Sequence, residues 1–473
     1  MDEKKCIFYP NISCPFINNQ NIIKTRDDAH PLCFVHNVDG KYSLCEHHRM
    51  YSWCESTGDF DEQTLRERIE PWLTALFQSE HLSLLTGSGL TIGICQIADQ
   101  SAAGMPQVSF TNFNSEIDAE VKRSAIALGR AEGNFEDYIR VANALYAGLK
   151  ILGNPEAEPL GDEIAAKLNL FTESLLASEE ALASSASQKR EDAFNCLVSF
   201  LMSFASRTGT RDRVHIFTTN YDRLIEEAAD LAGLHLLDRF IGKLSPVFRS
   251  SRLNLDLHYN PPGIRGEPRY LEGVARFTKL HGSLDWVKTG SLIRRVGIPF
   301  GVKDITPYLQ APGFDGVSAF DLMIYPNSAK DRETADYPYV ELFRDFAAAI
   351  CRPNSTVVTY GYSFGDEHIN RILRDMLTIP STHLVIISYD DRLGRIHNFY
   401  SQTAHLDQIS LLMGSDIASI DNLTRKFLPK SAIDFATSRM GEILQSRYAS
   451  QPRQESHTPV AAAKATLLPG GQQ

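Results

Sequence analysis

Five short apolar runs, each ending in polar residues, limit what this chain can fold into: Leu82 to Leu85, Val214 to Thr218, Phe277 to Leu280, Thr356 to Tyr360 and Leu384 to Ser388. Apolar runs of this length suit strands buried on both faces, and such strands belong to parallel sheets with helices on either side. The expected fold class is therefore α/β, with a Rossmann-like parallel sheet. Ligands of such sheets sit beyond the carboxyl ends of the strands. That is where the polar motifs fall: Thr86-Gly87-Ser88-Gly89, Thr219-Asn220-Tyr221-Asp222, His281-Gly282-Ser283 and Gly361-Tyr362-Ser363.

Between and around these strands the chain changes character. Leu65, Ile69, Leu73, Leu76 and Phe77 have helical spacing and lead into the first strand. Residues 115 to about 207 carry Ala- and Leu-rich helical periodicity and are expected to form an inserted subdomain that lids the site. Inside it, Asn134-Phe135-Glu136-Asp137-Tyr138 reads as an N-capped helix with acids in its first turn. After residue 400, Leu406, Ile409, Leu411, Leu412, Phe427 and Met440 to Ile443 suggest more helix. The stretch 450–473, rich in Gln, Ser, Pro, Ala and Gly, is expected to be disordered. The expected division is thus 1–60, 61–400, 401–449 and 450–473.

Five of the eight cysteines, with His36, His47 and His48, lie before residue 60. Cys33 with His36 and Cys45 with His48 are two Cys-x-x-His pairs at zinc-ligand spacing, so this extension is a candidate structural Zn2+ site. Reduced cysteines packed in an ordinary extension are the other reading.

A formal charge of -11 argues against direct nucleic-acid binding through a broad basic surface. The chain opens Met1-Asp2-Glu3-Lys4-Lys5 with no long apolar run behind it, and no stretch approaches the roughly 18 to 20 apolar residues that span a bilayer. No membrane association and a cytoplasmic location are expected.

Taken in order, "LLTGSGLT", "TTNYDRLIE", "KLHGSLDW" and "VVTYGYSFGDEHIN" resemble the four signature stretches of the sirtuin-like NAD-consuming fold. The resemblance runs from about residue 80 to about residue 390. It is closer to the bacterial branch associated with phage defence than to protein deacylases, and Asn134-Phe135-Glu136-Asp137-Tyr138, besides its reading as a plain N-capped helix, resembles the Asn-x-Glu-Asp helix common in that branch. It implies NAD+ as substrate, with Thr86, Gly87, Ser88, Gly89 and Thr91 at the pyrophosphate. Gly361, Tyr362 and Ser363 would lie near the phosphates or the adenosine ribose, and Asp390 at the ribose hydroxyls. It makes Asn220 and His281 the catalytic pair and Asp222 their support. NAD+ carries its own good leaving group, so the site needs a base, dipoles that favour a cationic sugar, and a wall around the nicotinamide. A histidine of ordinary pKa, about 6.5, can serve as that base.

Two departures from deacylating sirtuins stand out. Only Cys351 follows His281, so their four-cysteine zinc module is missing, and Gly104-Met105-Pro106 is a distant echo of their Gly-x-Pro-Asp-Phe-Arg segment. Water then becomes the expected acceptor, and NAD+ hydrolysis to nicotinamide and ADP-ribose the expected reaction. The alternatives are an NAD-dependent protein deacylase and a non-catalytic NAD or ADP-ribose sensor. The resemblance further implies anti-phage depletion of NAD, a homo-oligomer and a gating protein such as a HerA-type ATPase.

Overall fold

In a computed structural model, all five apolar runs form strands. The structure describes residues 5–6, 9–13, 20–25, 28–37, 40–45, 53–54, 58–127, 132–207, 211–251, 255–260, 269–314, 316–317, 337–391 and 393–430. Eleven strands form the main sheet. In chain order they are β1 (Gln20–Lys24), β2 (Leu32–His36), β3 (Tyr42–Leu44), β4 (Asp59–Phe60), β5 (His81–Thr86), β6 (His215–Thr218), β7 (His235–Leu237), β8 (Val274–Lys279), β9 (Ser355–Tyr360), β10 (His383–Ser388) and β11 (Ile409–Met413). Across the sheet the order is β4-β3-β2-β1-β11-β10-β9-β5-β6-β8-β7.

Neighbours from β11 through β7 are parallel. From β11 through β4 they are antiparallel. The chain runs from β5 outward to β6 and later returns to lay β9 on the other side of β5. This reversal makes the β5/β9 boundary a topological switch point, where the loops diverge and leave a crevice. Register puts Tyr360, Thr86, Thr218 and Lys279 in one row across β9, β5, β6 and β8. Every sequence motif of the site follows that row.

Both sheet faces are covered. Leu84, Ile216, Phe277, Val358 and Val385 face a cluster with helices α1 (Glu62–Phe77) and α2 (Ser88–Ile97). Leu85, Phe217, Val357, Leu384 and Ile386 face the opposite cluster. Each such side chain, fully buried, contributes on the order of 1.5–3 kcal/mol.

The helices of the 115–207 stretch pack into two different clusters. Helices α3 (Asn114–Ala127), α4 (Phe135–Ile151) and α5 (Ala157–Ala183) build a third cluster around Phe135, Leu160, Ile164 and Phe171, joined by Tyr221, Leu284 and Val287. Helix α6 (Ser187–Ala205) instead directs Leu197, Phe200, Leu201 and Phe204 into the sheet core, as does α7 (Leu224–Ala232) with Leu224 and Ala228. A buried ion pair ties the insertion down: Arg223 donates from its backbone N–H and its guanidinium to Glu179 of α5, and from Nη1 to the Ile298 carbonyl at 2.7 Å. The opposite face of the sheet carries α8 (Tyr339–Ile350), α9 (Glu367–Leu377) and α10 (Arg395–Ser401).

One expectation is corrected here. Ile409, Leu411 and Leu412, read as helical, lie in β11, where every residue from Ile409 to Met413 is buried between β10 and β1. A short apolar run supports either period, and here lateral pairing decided it. Residues 431–449, with Met440 to Ile443, and the 450–473 tail lie outside the described residues.

From Gln20 on, the described part of the Cys/His-rich extension continues the main sheet as β1 to β4. On an extended strand, residues three apart point to opposite faces and sit about 10 Å apart. Cys33 accordingly packs in the cluster on one face, while His36 meets the Tyr42 ring, which belongs to the other. His48 lies outside the described residues, and among the described residues no group of three or more His, Cys, Asp or Glu side chains could hold a metal. Nor is any helix among them long and apolar enough to cross a membrane.

Candidate active site

The two glycine loops at the switch point lean on each other. Gly89 donates its N–H to the Gly361 carbonyl at 3.0 Å, and Gly87 donates to the Tyr360 carbonyl at 3.1 Å. A Cβ on Gly89 would lie 2.6 Å from Gly361 Cα, and one on Gly87 would lie 2.6 Å from the Gly361 oxygen. Gly361 itself has φ +60°. These glycines are needed first for backbone to meet backbone across β5 and β9, and that contact sets the N-terminus of α2 at the crevice.

The loop after β6 is held from below. Buried Lys279 donates Nζ to the carbonyls of Tyr221 and Asp222 and lies 3.1 Å from Glu226 Oε1. Above it, Asn220 donates Nδ2 to the Gly87 carbonyl at 3.0 Å and to Thr91 Oγ1 at 2.9 Å. Thr91 donates its hydroxyl hydrogen bond to Asp222 Oδ2 at 2.6 Å, and Asp222 Oδ1 accepts the Leu224 N–H at 3.2 Å. With both amide protons directed inward, Asn220 keeps Oδ1 for a ligand. Asp222 orients Thr91 and caps α7.

His281 follows β8 and sits between two carboxylates. Its Nε2 lies 2.8 Å from Asp366 Oδ2, and its Nδ1 lies 3.7 Å from Glu136 Oε1. Asp366 caps α9 through the His368 N–H at 2.9 Å. Glu136 comes from the first turn of α4, which a reciprocal Asn134/Asp137 capping box starts, and it accepts the Tyr221 hydroxyl at 2.8 Å. Burial works to lower the His281 pKa, but Asp366 and Glu136 outweigh it and raise the group to about 10. Burial likewise works to raise Glu136, and His281 with the Tyr221 hydroxyl outweighs it, leaving the carboxyl lowered. His281 is therefore an imidazolium at neutral pH in this arrangement. That differs from the freely titrating base expected of the sequence, because two anions from distant parts of the chain converge on it.

A cavity of about 320 Å³ opens onto these groups. Of the residues singled out in the sequence, it is lined by Gly87, Ser88, Thr91, Asn220, Asp222, His281, Tyr362 and Ser363. Tyr362 takes part mainly as loop structure: it is buried, and its hydroxyl meets the Asp366 carbonyl and Asn370 Oδ1, both at 3.1 Å. Thr86, Gly89, Gly361 and Asp390 are not among the lining residues. Thr86 is wholly buried in β5, Gly89 and Gly361 face each other, and Asp390 is exposed beyond β10.

The lining also includes residues the motifs had not assigned to the site. Glu136 and Arg140 stand one turn apart on α4, Phe171, Leu175 and Ser178 come from α5, and Arg395 begins α10. The spacing of Glu136 and Arg140 put them on one helix face, but nothing in it told which cavity that face would meet. The insertion thus forms one wall of the site, and Met105 and Gly104 lie on the connection leading into it.

In a largely parallel α/β sheet, a cavity at the switch point is the place where ligands bind. Residues 214–407 match a family model described as SIR2-like domain. The span holds Asn220, His281, Tyr362, Ser363 and Asp366, and omits the Gly87 turn and α3 to α5. A solved structure named "Sir2-p53 peptide-NAD+" aligns over 79% of this chain and 98% of its own, at 13% identity and a TM-score of 0.30, too low to carry weight. No curated protein matches the chain.

Proposed function

We propose that the chain is an NAD+ glycohydrolase, cleaving the nicotinamide-ribose bond with water as acceptor to give nicotinamide and ADP-ribose. The observation that carries this reading is convergence. Gly87, Ser88, Thr91, Asn220, His281 and Ser363, drawn from four separate strand ends, line one cavity at the switch point, and the SIR2-like match points to NAD-linked chemistry. The loops after β5 and β9 would take the pyrophosphate, Asn220 Oδ1 would orient the ribose or the water, and Asp222 would hold Asn220 through Thr91. His281 would face the reacting sugar. Water is favoured over an acyl peptide because the cysteine module that shapes the peptide groove of deacylases has no counterpart in the sequence after His281.

The same resemblance that suggested NAD+ suggests its biology: depletion of NAD during phage infection, by a homo-oligomer under the control of a HerA-type ATPase or similar partner. One observation favours a second reading. An imidazolium clamped by two carboxylates is a poor base, which suits a sensor that binds NAD or ADP-ribose without turning it over. Chromatography of NAD+ incubated with the purified protein, alone and beside an acyl-peptide assay, separates the readings. Nicotinamide and ADP-ribose in equal amounts are expected; tight binding without products would establish the sensor, and O-acyl-ADP-ribose the deacylase.

A further inference from the structure

We propose that Glu136, brought to the cavity by the helical insertion, is the base that deprotonates the attacking water, and that His281 is its positioning partner. This rests on the hydrolytic reading above.

Four observations lead to it. A base needs a lone pair, and the His281 ring is engaged by carboxylates on both sides, at 2.8 and 3.7 Å. Glu136 is anchored through one oxygen only: the Tyr221 hydroxyl and the His281 contact both fall on Oε1, so among the described residues Oε2 has no hydrogen-bond partner. The Glu136 side chain keeps 27% of its surface and lines the cavity. Its charge also suits the reaction, since a carboxylate stabilises the positive charge that develops on the ribose as nicotinamide leaves, whereas an imidazolium opposes it.

The balance of the step is simple. The C1′–N bond breaks and its electron pair returns to the nicotinamide ring, which leaves neutral. A lone pair of the water oxygen forms the new bond to C1′, the water proton passes to Glu136 Oε2, and it then escapes to solvent. No other acid is required. His281, held by Asp366, fixes the Oε1 side of the carboxylate and keeps it ionised, while Tyr221 fixes its orientation.

The test uses the full chain with Glu136→Gln, Glu136→Ala, His281→Asn and Tyr221→Phe, with melting curves to confirm folding. Glu136→Gln is expected to lower kcat by at least about a hundredfold with KM little changed, the scale for loss of a positioned base. Azide, which attacks without losing a proton, is expected to restore turnover of Glu136→Ala as the glycosyl azide, a rescue that a purely structural residue would not show. By NMR titration, the His281 pKa should fall in Glu136→Gln, a readout that needs no turnover. Wild-type NAD+ hydrolysis together with Glu136→Gln turnover within threefold of it overturns the base assignment and leaves the hydrolytic reading standing. So does an acid limb of the pH profile that vanishes in His281→Asn with no azide rescue of Glu136→Ala. A folded wild type that binds but never consumes NAD+ overturns both.

Discussion

Asn220 donates to the hydroxyl of Thr91 at 2.9 Å, and that hydroxyl donates onward to Asp222. The relay crosses from the loop after β6 to the first turn of α2 and back, so the amide orientation of Asn220 depends on a residue of a different strand-helix unit. Thr91→Val keeps the shape and removes the relay. NAD+ turnover is expected to drop by about tenfold through misplacement of Asn220 Oδ1, against at least about a hundredfold for Asn220→Ala. Steady-state kinetics on both variants, with melts near wild type, check this ranking. Thr91→Val with full kcat would mean that Asn220 is held by Gly87 alone.

The carboxylate clamp makes a pH prediction for the ligand-free protein. His281 has a folded pKa of about 10, above its ordinary unfolded value of about 6.5. Its contribution to stability is therefore complete below pH 6.5 and is lost as pH rises through 10, a change on the order of 3–5 kcal/mol. Urea midpoints measured from pH 6 to pH 10 should fall for the wild type and fall less for His281→Asn. Parallel curves would show that the histidine is not held as a cation.

The sheet was legible because its strands announce themselves: Leu82 to Leu85 and Leu384 to Ser388 are too apolar and too short for much else, and their polar ends mark the ligand side. Two kinds of information were not. Ile409 to Met413 has the same composition as a buried helix segment, and only its pairing with β10 on one side and with β1, from the far end of the chain, on the other makes it a strand. The second kind concerns charge. Asn220 and His281 could be picked out as residues, but the protonation state of His281 depends on Glu136, 145 positions earlier, and Asp366, 85 positions later, meeting around it. The Cys33/His36 pair was illegible for a related reason: a Cys-x-x-His spacing gathers ligands in a turn or helix and separates them on a strand, and these two residues lie on opposite faces of β2.

The glycine contact at the switch point gives the last prediction. Gly361→Ala meets two obstacles. An alanine at φ +60° costs about 1–2 kcal/mol by itself, and its Cβ would lie 2.6 Å from Gly89 Cα and 2.8 Å from Leu90 N, both backbone atoms that cannot turn aside. Gly394 provides the control, because it has φ +64° and nothing within 4 Å of the same Cβ. Gly394→Ala should therefore lose only the conformational part, and Gly361→Ala a further 1–3 kcal/mol or so as the β5 and β9 loops are pushed apart. The separation should reach the site, since the same loops line the cavity at Gly87 and Ser363. NAD+ affinity is expected to fall in Gly361→Ala and to hold in Gly394→Ala. Denaturant midpoints and calorimetric titration of the two variants decide the matter; equal losses at both positions would show that the loops have room to part, and that the glycines serve turn geometry alone.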